Sequence, residues 1–212
     1  MQLADVQHVV KDVPWMNRVK SRRMWDFLMQ HQPQQCLELG FCHGVSSVYI
    51  AAALEQLGRG HLTTVDLHSA RTLEPNIHQL LDKTGLSHRV TPYFEPISYT
   101  WRLMHLLEDE PTPQFDFCYL DGAHTWDDTG FAFFLVERLL RPGGHVIFDD
   151  LTWTFHRSPT LGRSRRVQKM TVEQRETPQV GKVFDLLVRH HPRFTACRVE
   201  GDWGYAQKKL AD

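Results

Sequence analysis

Short apolar segments alternate with amphipathic segments through most of the chain, and this alternation limits the folds open to it. We predict strands at residues 36–39, 61–67, 89–94, 115–120 and 145–148, and helices at residues 15–31, 45–57, 73–84, 98–107 and 126–140. The β-α-β-α order predicts an α/β fold with a mostly parallel sheet and helices on both of its faces. The chain has 212 residues, enough for one such domain, and we expect residues 1–212 to form a single domain.

The two ends of the chain and one internal stretch depart from the alternation. Residues 1–34 are expected to form an N-terminal helical segment. Residues 151–172 are basic, contain no acidic residue and have no clear period, and RPGG at 141–144 predicts a tight turn before the fifth strand. After a helix at 173–190, the segments FTACRV and WGYAQ predict a terminal antiparallel hairpin.

Composition narrows the class of protein. Hydrophobic residues make up 42% of the chain, an ordinary globular value, and the formal net charge is −1, so no overall field attracts nucleic acid or an anionic membrane. The first residues contain no apolar core of a signal peptide, and no apolar run approaches 18 residues, so we expect no membrane span. The four cysteines lack a CxxC pair, which favours reduced, buried thiols in a cytoplasmic protein.

Acidic residues stand at or near the ends of four predicted strands. They are Glu38, Asp66, Asp121, Asp149 and Asp150. The carboxyl ends of parallel strands line the ligand crevice of an open sheet. Burial of an acid costs several kcal/mol unless the acid is paired or binds something. Each acid alone could cap a helix or lie in a loop, but together they favour a ligand with hydroxyl groups, a cation, or both.

The loop Gly40–Gly44 indicates what kind of ligand this is. Glycine permits a sharp turn, and the following helix offers free N–H groups and the Ser46 hydroxyl to a carboxylate or a phosphate, although a plain strand-to-helix turn would look the same. Asp66 follows about 26 residues after the loop begins, where an acid can bind a ribose diol. Dinucleotide and S-adenosylmethionine sites share this feature, but the glycine spacing here is G-x-x-x-G rather than the dinucleotide pattern G-x-G-x-x-G.

Four motifs in order give the chain a family resemblance. LELGFCHGVSS, TTVDLH, YLDGAHTW and LLRPGGHVIFDDLTW resemble the class I S-adenosylmethionine-dependent methyltransferases, and within them the metal-dependent, catechol-type O-methyltransferases. The resemblance covers roughly residues 15–155. It implies a doubly wound, Rossmann-like, seven-stranded sheet that is mostly parallel and ends in an antiparallel hairpin. It also implies methyl transfer from S-adenosylmethionine to a hydroxyl group of a small molecule.

The resemblance further implies a set of cofactor contacts. Glycine-loop residues would line the methionine half of the cofactor, with Ser46 on its carboxylate, Asp66 on the ribose and Ser98 near the adenine. This chain reads Glu95-Pro96-Ile97 where the family usually has a glycine just before the last of these. The complete set is Glu38, Gly40, Phe41, Gly44, Ser46, Asp66, Leu67, His68, Ser98 and Asp121.

The same resemblance implies a Mg²⁺ site and a base. Asp121, Asp149 and Asp150 match the positions that hold the cation, and oxygen ligands suit Mg²⁺. Many class I methyltransferases without metal also have acids at these positions, so a metal-free site stays open. His124 stands where the catechol group has a basic lysine, and we expect it to act with Asp121 in catalysis. It could instead only contact the substrate or a neighbouring residue.

The acids that follow His124 have a simpler explanation. Thr125 is a natural N-cap for the next helix, and Asp128 completes a T-x-x-D capping pattern. Asp127 and Asp128 both lie in the first helical turn, where the helix dipole favours negative charge. We therefore expect these two acids to start a helix rather than to take part in catalysis.

The basic segment 151–172 would overhang the ligand crevice. Its aromatic and cationic residues are Trp153, Phe155, His156, Arg157, Arg163, Arg165, Arg166 and Lys169. We predict a lid that holds an anionic or aromatic acceptor. An inert surface loop is the alternative, and nucleic-acid binding is the weakest one because the chain is otherwise neutral.

Other functions stay open at this point. They are a metal-independent N- or O-methyltransferase, a non-catalytic S-adenosylmethionine-binding protein and a nicotinamide oxidoreductase, the last disfavoured by the glycine spacing. A homo-oligomer is also compatible with the sequence.

Overall fold

A seven-stranded sheet forms the centre of the computed structural model, which describes residues 1–158 and 161–210. Its strands are β1 Gln35–Leu39, β2 His61–Leu67, β3 Val90–Glu95, β4 Phe115–Leu120, β5 Leu140–Phe148, β6 Phe194–Glu200 and β7 Trp203–Lys208. Their order is β3-β2-β1-β4-β5-β7-β6. The first five strands pair in parallel, whereas β7 pairs antiparallel with both β5 and β6. The predicted fold class, including the terminal antiparallel hairpin, is confirmed.

Helices connect the strands and cover the sheet. They are α1 Leu3–Val9, α2 Arg18–His31, α3 Val45–Gln56, α4 Ile77–Thr84, α5 Tyr99–Glu108, α6 Trp126–Leu139, α7 Arg165–Gln168, α8 Val172–Glu176 and α9 Gln179–Val183. Shorter 3₁₀ turns lie at His68–Thr72, Ser87–Arg89, Phe155–Arg157 and Leu161–Arg163, and a π-helical turn lies at Phe184–Val188. Within the described ranges, each helix is too short or too polar to cross a membrane.

The hydrophobic core has two layers, one on each face of the sheet. Met24, Val48 and Ile50 belong to the layer under α1 to α4. Phe133 and Val183 belong to the layer under α5, α6 and α9. Because both faces are covered, strands such as β1 are buried along almost their whole length and read as continuous apolar runs in the sequence.

Capping residues set the true starts of two predicted helices. The helix expected at 15–31 begins at Arg18, because the Asn17 side chain accepts hydrogen bonds from Val19 N at 3.0 Å and Lys20 N at 2.9 Å. The helix expected at 73–84 begins at Ile77, where Asn76 is the N-cap. Other caps are confirmed: Thr125 starts α6 by accepting from Asp128 N, as the T-x-x-D pattern predicts.

Three expectations about irregular segments are wrong. The helix predicted at 173–190 is broken between α8 and α9, because Pro178 cannot donate a backbone hydrogen bond and keeps Thr177 extended. RPGG is not a tight turn: it lies inside β5, where the pairing with β4 shifts register. Residues 151–172 are not a plain loop, since they contain α7 and two short turns. Residues 159–160 of this segment and the Arg163 side chain lie outside what the structure describes.

The cysteines are free thiols, as expected from their spacing. Cys36 and Cys118 are buried, but Cys42 and Cys197 are partly exposed, so the expectation of burial is wrong for these two. Cys42 lies in the loop after β1 and Cys197 lies on the edge strand β6, and neither place can be fully covered by helices.

Candidate active site

The carboxyl ends of β1 and β4 lie side by side where the strand order reverses, which is where open α/β sheets form their ligand crevice. Gly40 follows β1 and Asp121 follows β4, and the two backbones touch. Asp121 N donates to Leu39 O at 2.9 Å. A Cβ atom on Gly40 would lie 2.3 Å from Asp121 O, and Gly40 has φ +92°, so only glycine fits. The glycine loop and the acid after β4 are therefore direct neighbours.

The loop Gly40–Gly44 carries the chain from β1 into α3. Gly44 is the N-cap residue with φ +93°, and a Cβ atom there would lie 2.7 Å from the Ile77 side chain. No side chain in the described ranges caps α3, so first-turn N–H groups of this helix are left for another partner. Phe41 is buried and packs edge-on against Phe94, with ring centroids 5.3 Å apart. This loop therefore has a fixed shape next to an uncapped helix start.

Glu38 is fully buried at the end of β1. Its Oε2 atom accepts hydrogen bonds from the hydroxyls of Ser47 and Thr64, the second at 2.6 Å. Its Oε1 atom has no partner among the described residues. Burial raises the pKa of Glu38 to about 7, although hydrogen bonds from hydroxyl groups such as those of Ser47 and Thr64 oppose the shift. An acid with one unpaired buried oxygen is a candidate ligand contact.

Asp66 holds the glycine loop in place. Its Oδ2 atom accepts from Phe41 N at 2.8 Å and from Cys42 N at 2.6 Å, and its Oδ1 atom accepts from Leu67 N at 2.6 Å. The carboxylate is therefore engaged with the loop, and a ribose diol would have to share or replace these bonds. Leu67 and His68 follow it and are exposed at the rim.

Ser98 lies at the start of α5. It is the N-cap residue, and its hydroxyl oxygen accepts from Thr100 N at 3.2 Å. The next residue, Tyr99, donates its hydroxyl to Gly122 O at 3.3 Å and so links α5 to the loop after β4. The structure thus brings most of the predicted cofactor residues together at one edge, and the role of each stays a prediction.

Lys20 joins the acids at the end of β5. Its Nζ atom lies 2.5 Å from Asp149 Oδ1 and 3.1 Å from Asp150 Oδ1. Burial works to lower the pKa of Lys20, but the charges of Asp149 and Asp150 outweigh it and hold this pKa above its usual value. The same burial and the neighbouring Asp150 raise the pKa of Asp149. The acids are thus partly neutralised by a cation that belongs to the chain.

His124, the expected base, lies between two acids. Its Nε2 atom is 2.9 Å from Asp150 Oδ2 and 3.9 Å from Asp121 Oδ1. Burial tends to raise the pKa of Asp150, but the His124 hydrogen bond and the Lys20 charge hold this pKa below its usual value. Burial and the other two aspartates raise the pKa of Asp121. The indole ring of Trp153 covers the imidazole, with centroids 4.6 Å apart.

The backbone around His124 and Asp150 is strained. Ala123, His124 and Asp150 have φ values of 60°, 59° and 60°, which non-glycine residues rarely adopt. Such conformations persist only where the surrounding contacts hold them, and they cluster at functional sites. Here they aim the imidazole and the carboxylate at each other.

The expected Mg²⁺ ligands do not fit that ion as they are arranged. Asp149 Oδ1 accepts from Lys20 Nζ and from Asp150 N at 2.6 Å, and Asp149 Oδ2 accepts from the Tyr119 hydroxyl. Asp150 is bonded by Lys20 and His124. A cation held by Asp121, Asp149 and Asp150 would have to displace Lys20. Among the described residues, the ligand atoms that lie within 4.8 Å of one another belong instead to Asp121, His124 and Asp150, or to Asp149, Asp150 and Asp202.

Lys20 and Tyr119 were missed by the sequence analysis, which assigned residues 1–34 only to an N-terminal helical segment. The sequence did indicate that Lys20 faces the core. Lys20 precedes the buried Met24 by four residues and Phe27 by seven, so all three share one helix face. A lysine on the core face of a helix needs a buried partner. Tyr119 is buried on β4, and nothing in the sequence indicates that its hydroxyl donates a hydrogen bond to Asp149.

The basic segment 151–172 contacts the start of α6, directly after His124. Arg166 Nη1 lies 2.6 Å from Asp128 Oδ2, and Arg166 Nη2 lies 3.5 Å from Asp127 Oδ2. A cavity of about 480 Å³ lies there. Its lining residues are Asp127, Arg165, Arg166, Lys169, Met170, Gln174 and Gln179. The segment is therefore tied to the candidate site through both Trp153 and Arg166.

Residues 37–151, slightly more than half of the chain, match the model of a family described as a methyltransferase domain. Solved structures with a similar fold include the O-methyltransferase TomG from Streptomyces achromogenes in complex with SAM, at 20% identity and TM-score 0.69, covering 98% of this chain and 89% of that one.

The O-methyltransferase from Bacillus cereus in complex with SAH is also similar, at 19% identity and TM-score 0.66, covering 98% of this chain and 90% of that one. The SAH-bound methyltransferase PaMTH1 from Podospora anserina is similar as well, at 18% identity and TM-score 0.67, covering 99% of this chain and 88% of that one. No curated protein matches the chain in sequence.

Proposed function

The chain belongs to the family of methyltransferase domains, and we propose that it is an S-adenosylmethionine-dependent O-methyltransferase acting on a small molecule with a hydroxyl group. One observation carries this proposal. The glycine loop after β1 and the His124 cluster after β4 touch, since a Cβ atom on Gly40 would lie 2.3 Å from Asp121 O. A methyl donor seated on the loop would meet an acceptor seated at His124, as direct transfer requires.

The residues of the loop fit the donor. The uncapped start of α3, with Ser46 in its first turn, would hold the carboxylate of S-adenosylmethionine. The free Oε1 atom of Glu38 suits a cationic or N–H group in the methionine half. Asp66 would turn from Phe41 N and Cys42 N towards the ribose hydroxyls. Leu67, His68 and Ser98 would border the nucleoside.

When bound, S-adenosylmethionine supplies a methyl group on a positively charged sulfur. In the transfer, the acceptor oxygen would bond to the methyl carbon, the carbon–sulfur bond would break with its electron pair going to the sulfur, and the hydroxyl proton would have to leave. An ionised Asp150 fixes the proton of His124 on Nε2, so Nδ1 is the basic nitrogen that takes the acceptor's proton. The Asp150 carboxylate, 2.9 Å from Nε2, then stabilises the imidazolium charge, and Asp121 Oδ1 lies 3.9 Å from the same nitrogen.

The walls of the site favour an aromatic or anionic acceptor. The Trp153 ring covers His124, and the Phe155 ring packs edge-on against Trp153 with centroids 4.8 Å apart. Flat aromatic compounds stack on such surfaces. Arg165 and Lys169 line the neighbouring cavity and would attract negative charge. We propose that the segment 151–172 covers the acceptor as a lid, within a single cytoplasmic domain.

The Mg²⁺-assisted form of this reaction is the second candidate. The ligand atoms of Asp121, His124 and Asp150 lie within 4.8 Å of one another, a spacing from which a divalent cation could be held. Asp149 would take part only after release of Lys20. A metal bound there would lower the pKa of the acceptor hydroxyl.

Calorimetry with S-adenosylmethionine and with NAD tests the proposed function. We expect S-adenosylmethionine to bind and NAD not to bind. Transfer of a labelled methyl group to a panel of phenols and vicinal diols should then identify acceptors. His124→Gln should slow transfer about 100-fold or more while cofactor affinity stays the same, because only the base is lost. His88→Gln, on an exposed histidine paired with Glu55, is the matched control. Failure of the wild-type chain to bind S-adenosylmethionine would refute the proposal.

A further inference from the structure

We propose that Lys20 is the resident cation of this site, and that its ammonium group replaces a divalent metal ion between Asp149 and Asp150. The role in catalysis rests on the proposed function, whereas the exclusion of a metal ion does not. Methyl transfer by this chain would then need no metal.

Both carboxylate oxygens of Asp149 accept hydrogen bonds from the chain, so neither is free to bind a metal ion. Its Oδ1 atom accepts from Lys20 Nζ at 2.5 Å and from Asp150 N at 2.6 Å, and its Oδ2 atom accepts from the Tyr119 hydroxyl. Asp149 is 4% exposed, so a bond lost here would not be replaced by bulk water. A Mg²⁺ ion, which holds its oxygen ligands at about 2.0–2.1 Å, would have to displace a buried ammonium group first.

Asp150 likewise has a hydrogen-bond partner on each of its two carboxylate oxygens. Its Oδ1 atom is 3.1 Å from Lys20 Nζ, and its Oδ2 atom is 2.9 Å from His124 Nε2. Its φ of 60° aims the carboxylate between these two donors. Both aspartates that end β5 are therefore paired through one lysine.

The ammonium group is held by the fold rather than by a flexible surface helix. Lys20 lies on the face of α2 that carries Met24 and Phe27, which are 0% and 6% exposed. Arg23, on the same helix, donates to Glu200 O at 2.9 Å and pairs with the Glu200 carboxylate at 3.0 Å. Its guanidinium also lies 5.4 Å from the ring of Trp203. The helix is thus anchored to the hairpin β6–β7 next to β5.

The free donor of Lys20 suits the reaction. An ammonium group has three N–H donors, and two of them point to Asp149 and Asp150. Among the described residues the third has no acceptor, and the side chain is 24% exposed. Asp121 lies near enough for its charge to contribute to the raised pKa of Lys20, so the ammonium group borders the crevice of Asp121. A donor with positive charge there would bind the acceptor oxygen and favour loss of its proton, which is the role a Mg²⁺ ion would otherwise have.

Manganese binding tests the inference without any assay of activity. Mn²⁺ is titrated into the wild-type chain, Lys20→Met and Arg22→Met, and the free ion is followed by its paramagnetic resonance signal. Arg22 lies on the same helix, but its side chain is 65% exposed and its ion pair with Asp26 is long, at 3.9 Å. Its replacement is therefore the matched control. We expect weak binding to the wild type and to Arg22→Met, and at least about tenfold tighter binding to Lys20→Met, since removal of the ammonium frees two carboxylates.

A chelator provides the second measurement. Methyl transfer by the wild-type chain should be unchanged in EDTA and unchanged on adding Mg²⁺. Equal Mn²⁺ affinity of the wild type and of a folded Lys20→Met chain would overturn the inference, as would EDTA-sensitive transfer that Mg²⁺ restores. If Lys20→Met does not fold, Lys20→Arg, which keeps the charge, and the wild-type measurements still decide. Absence of S-adenosylmethionine binding refutes the proposed function instead, and leaves the Mn²⁺ result standing.

Discussion

Replacement of Glu38 by glutamine should make the stability of the protein less dependent on pH. Glu38 is 0% exposed, and its pKa is raised from 4.5 to about 7 because burial disfavours the carboxylate. The folded chain therefore binds this proton more tightly than the unfolded chain. Its contribution to stability is fully present below about pH 4.5 and is lost as the pH rises through 7.

The size of the effect follows from the shift. Each pKa unit corresponds to about 1.4 kcal/mol, so the shift from 4.5 to about 7 is worth about 3 kcal/mol in total, of which about 2.5 kcal/mol falls between pH 5 and pH 8. Glutamine cannot ionise, and its amide oxygen can keep the bonds from the Ser47 and Thr64 hydroxyls. Its amide nitrogen would occupy the place of the unpaired Oε1 atom. The free-energy cost of burying this nitrogen is the same at every pH.

Urea unfolding of the two chains without cofactor, at pH 5 and at pH 8, measures this difference. Between these pH values the wild type should lose about 2.5 kcal/mol of unfolding free energy relative to Glu38→Gln. Glu95→Gln is the control, since Glu95 is buried but lies 2.7 Å from Arg102, which balances its charge. It should bring no relative gain at pH 8. A difference between wild type and Glu38→Gln that is the same at both pH values would refute the reasoning.

Further predictions concern the glycine loop, the start of α6 and the acceptor wall. Gly40→Ala should lower the unfolding free energy by about 3 kcal/mol or more, because its Cβ atom would lie 2.3 Å from a backbone oxygen. Gly58→Ala should lower it by only about 1 kcal/mol, because its Cβ atom would meet nothing within 4 Å. Thr125→Ala should cost about 1 kcal/mol in urea unfolding through loss of the α6 cap, whereas Asp127→Ala should stay within about 0.5 kcal/mol. Trp153→Ala should raise the KM for an aromatic acceptor about 3- to 10-fold in a methyl-transfer assay, because its ring packs at a tilt against His124. The calorimetric affinity for S-adenosylmethionine should stay unchanged.

The parts of the fold that follow from local chemistry could be predicted from the sequence. The strands β2 and β4 were predicted with their observed bounds. The cap at Thr125 needed only neighbours within a few residues. The failure at 173–190 also has a local cause, because the pattern of apolar residues continued while Pro178 interrupted the hydrogen bonds.

The candidate site was predictable only in part. The convergence of Asp121, Asp149 and Asp150 follows from sheet topology, since strand ends meet at one edge. The contact between Lys20 and Asp149 joins residues 129 positions apart and depends on how α2 is rotated against the sheet. The engagement of Asp66 with the amides of Phe41 and Cys42 likewise depends on the exact turn of the loop. Periodicity in the sequence carries neither piece of information.

The two outer strands of the sheet limit how copies of this protein can associate. Edge strand β3 contains Pro92, which has no N–H group to offer, and edge strand β6 is bulged between Thr195 and Arg198, with Ala196 at φ 50°. Interrupted edges of this kind oppose strand-by-strand addition and the aggregation that follows from it. If two copies form a dimer, we therefore expect them to meet through helices, such as the face of α6 that exposes Phe131 and Phe134, and not through a continuous intermolecular sheet.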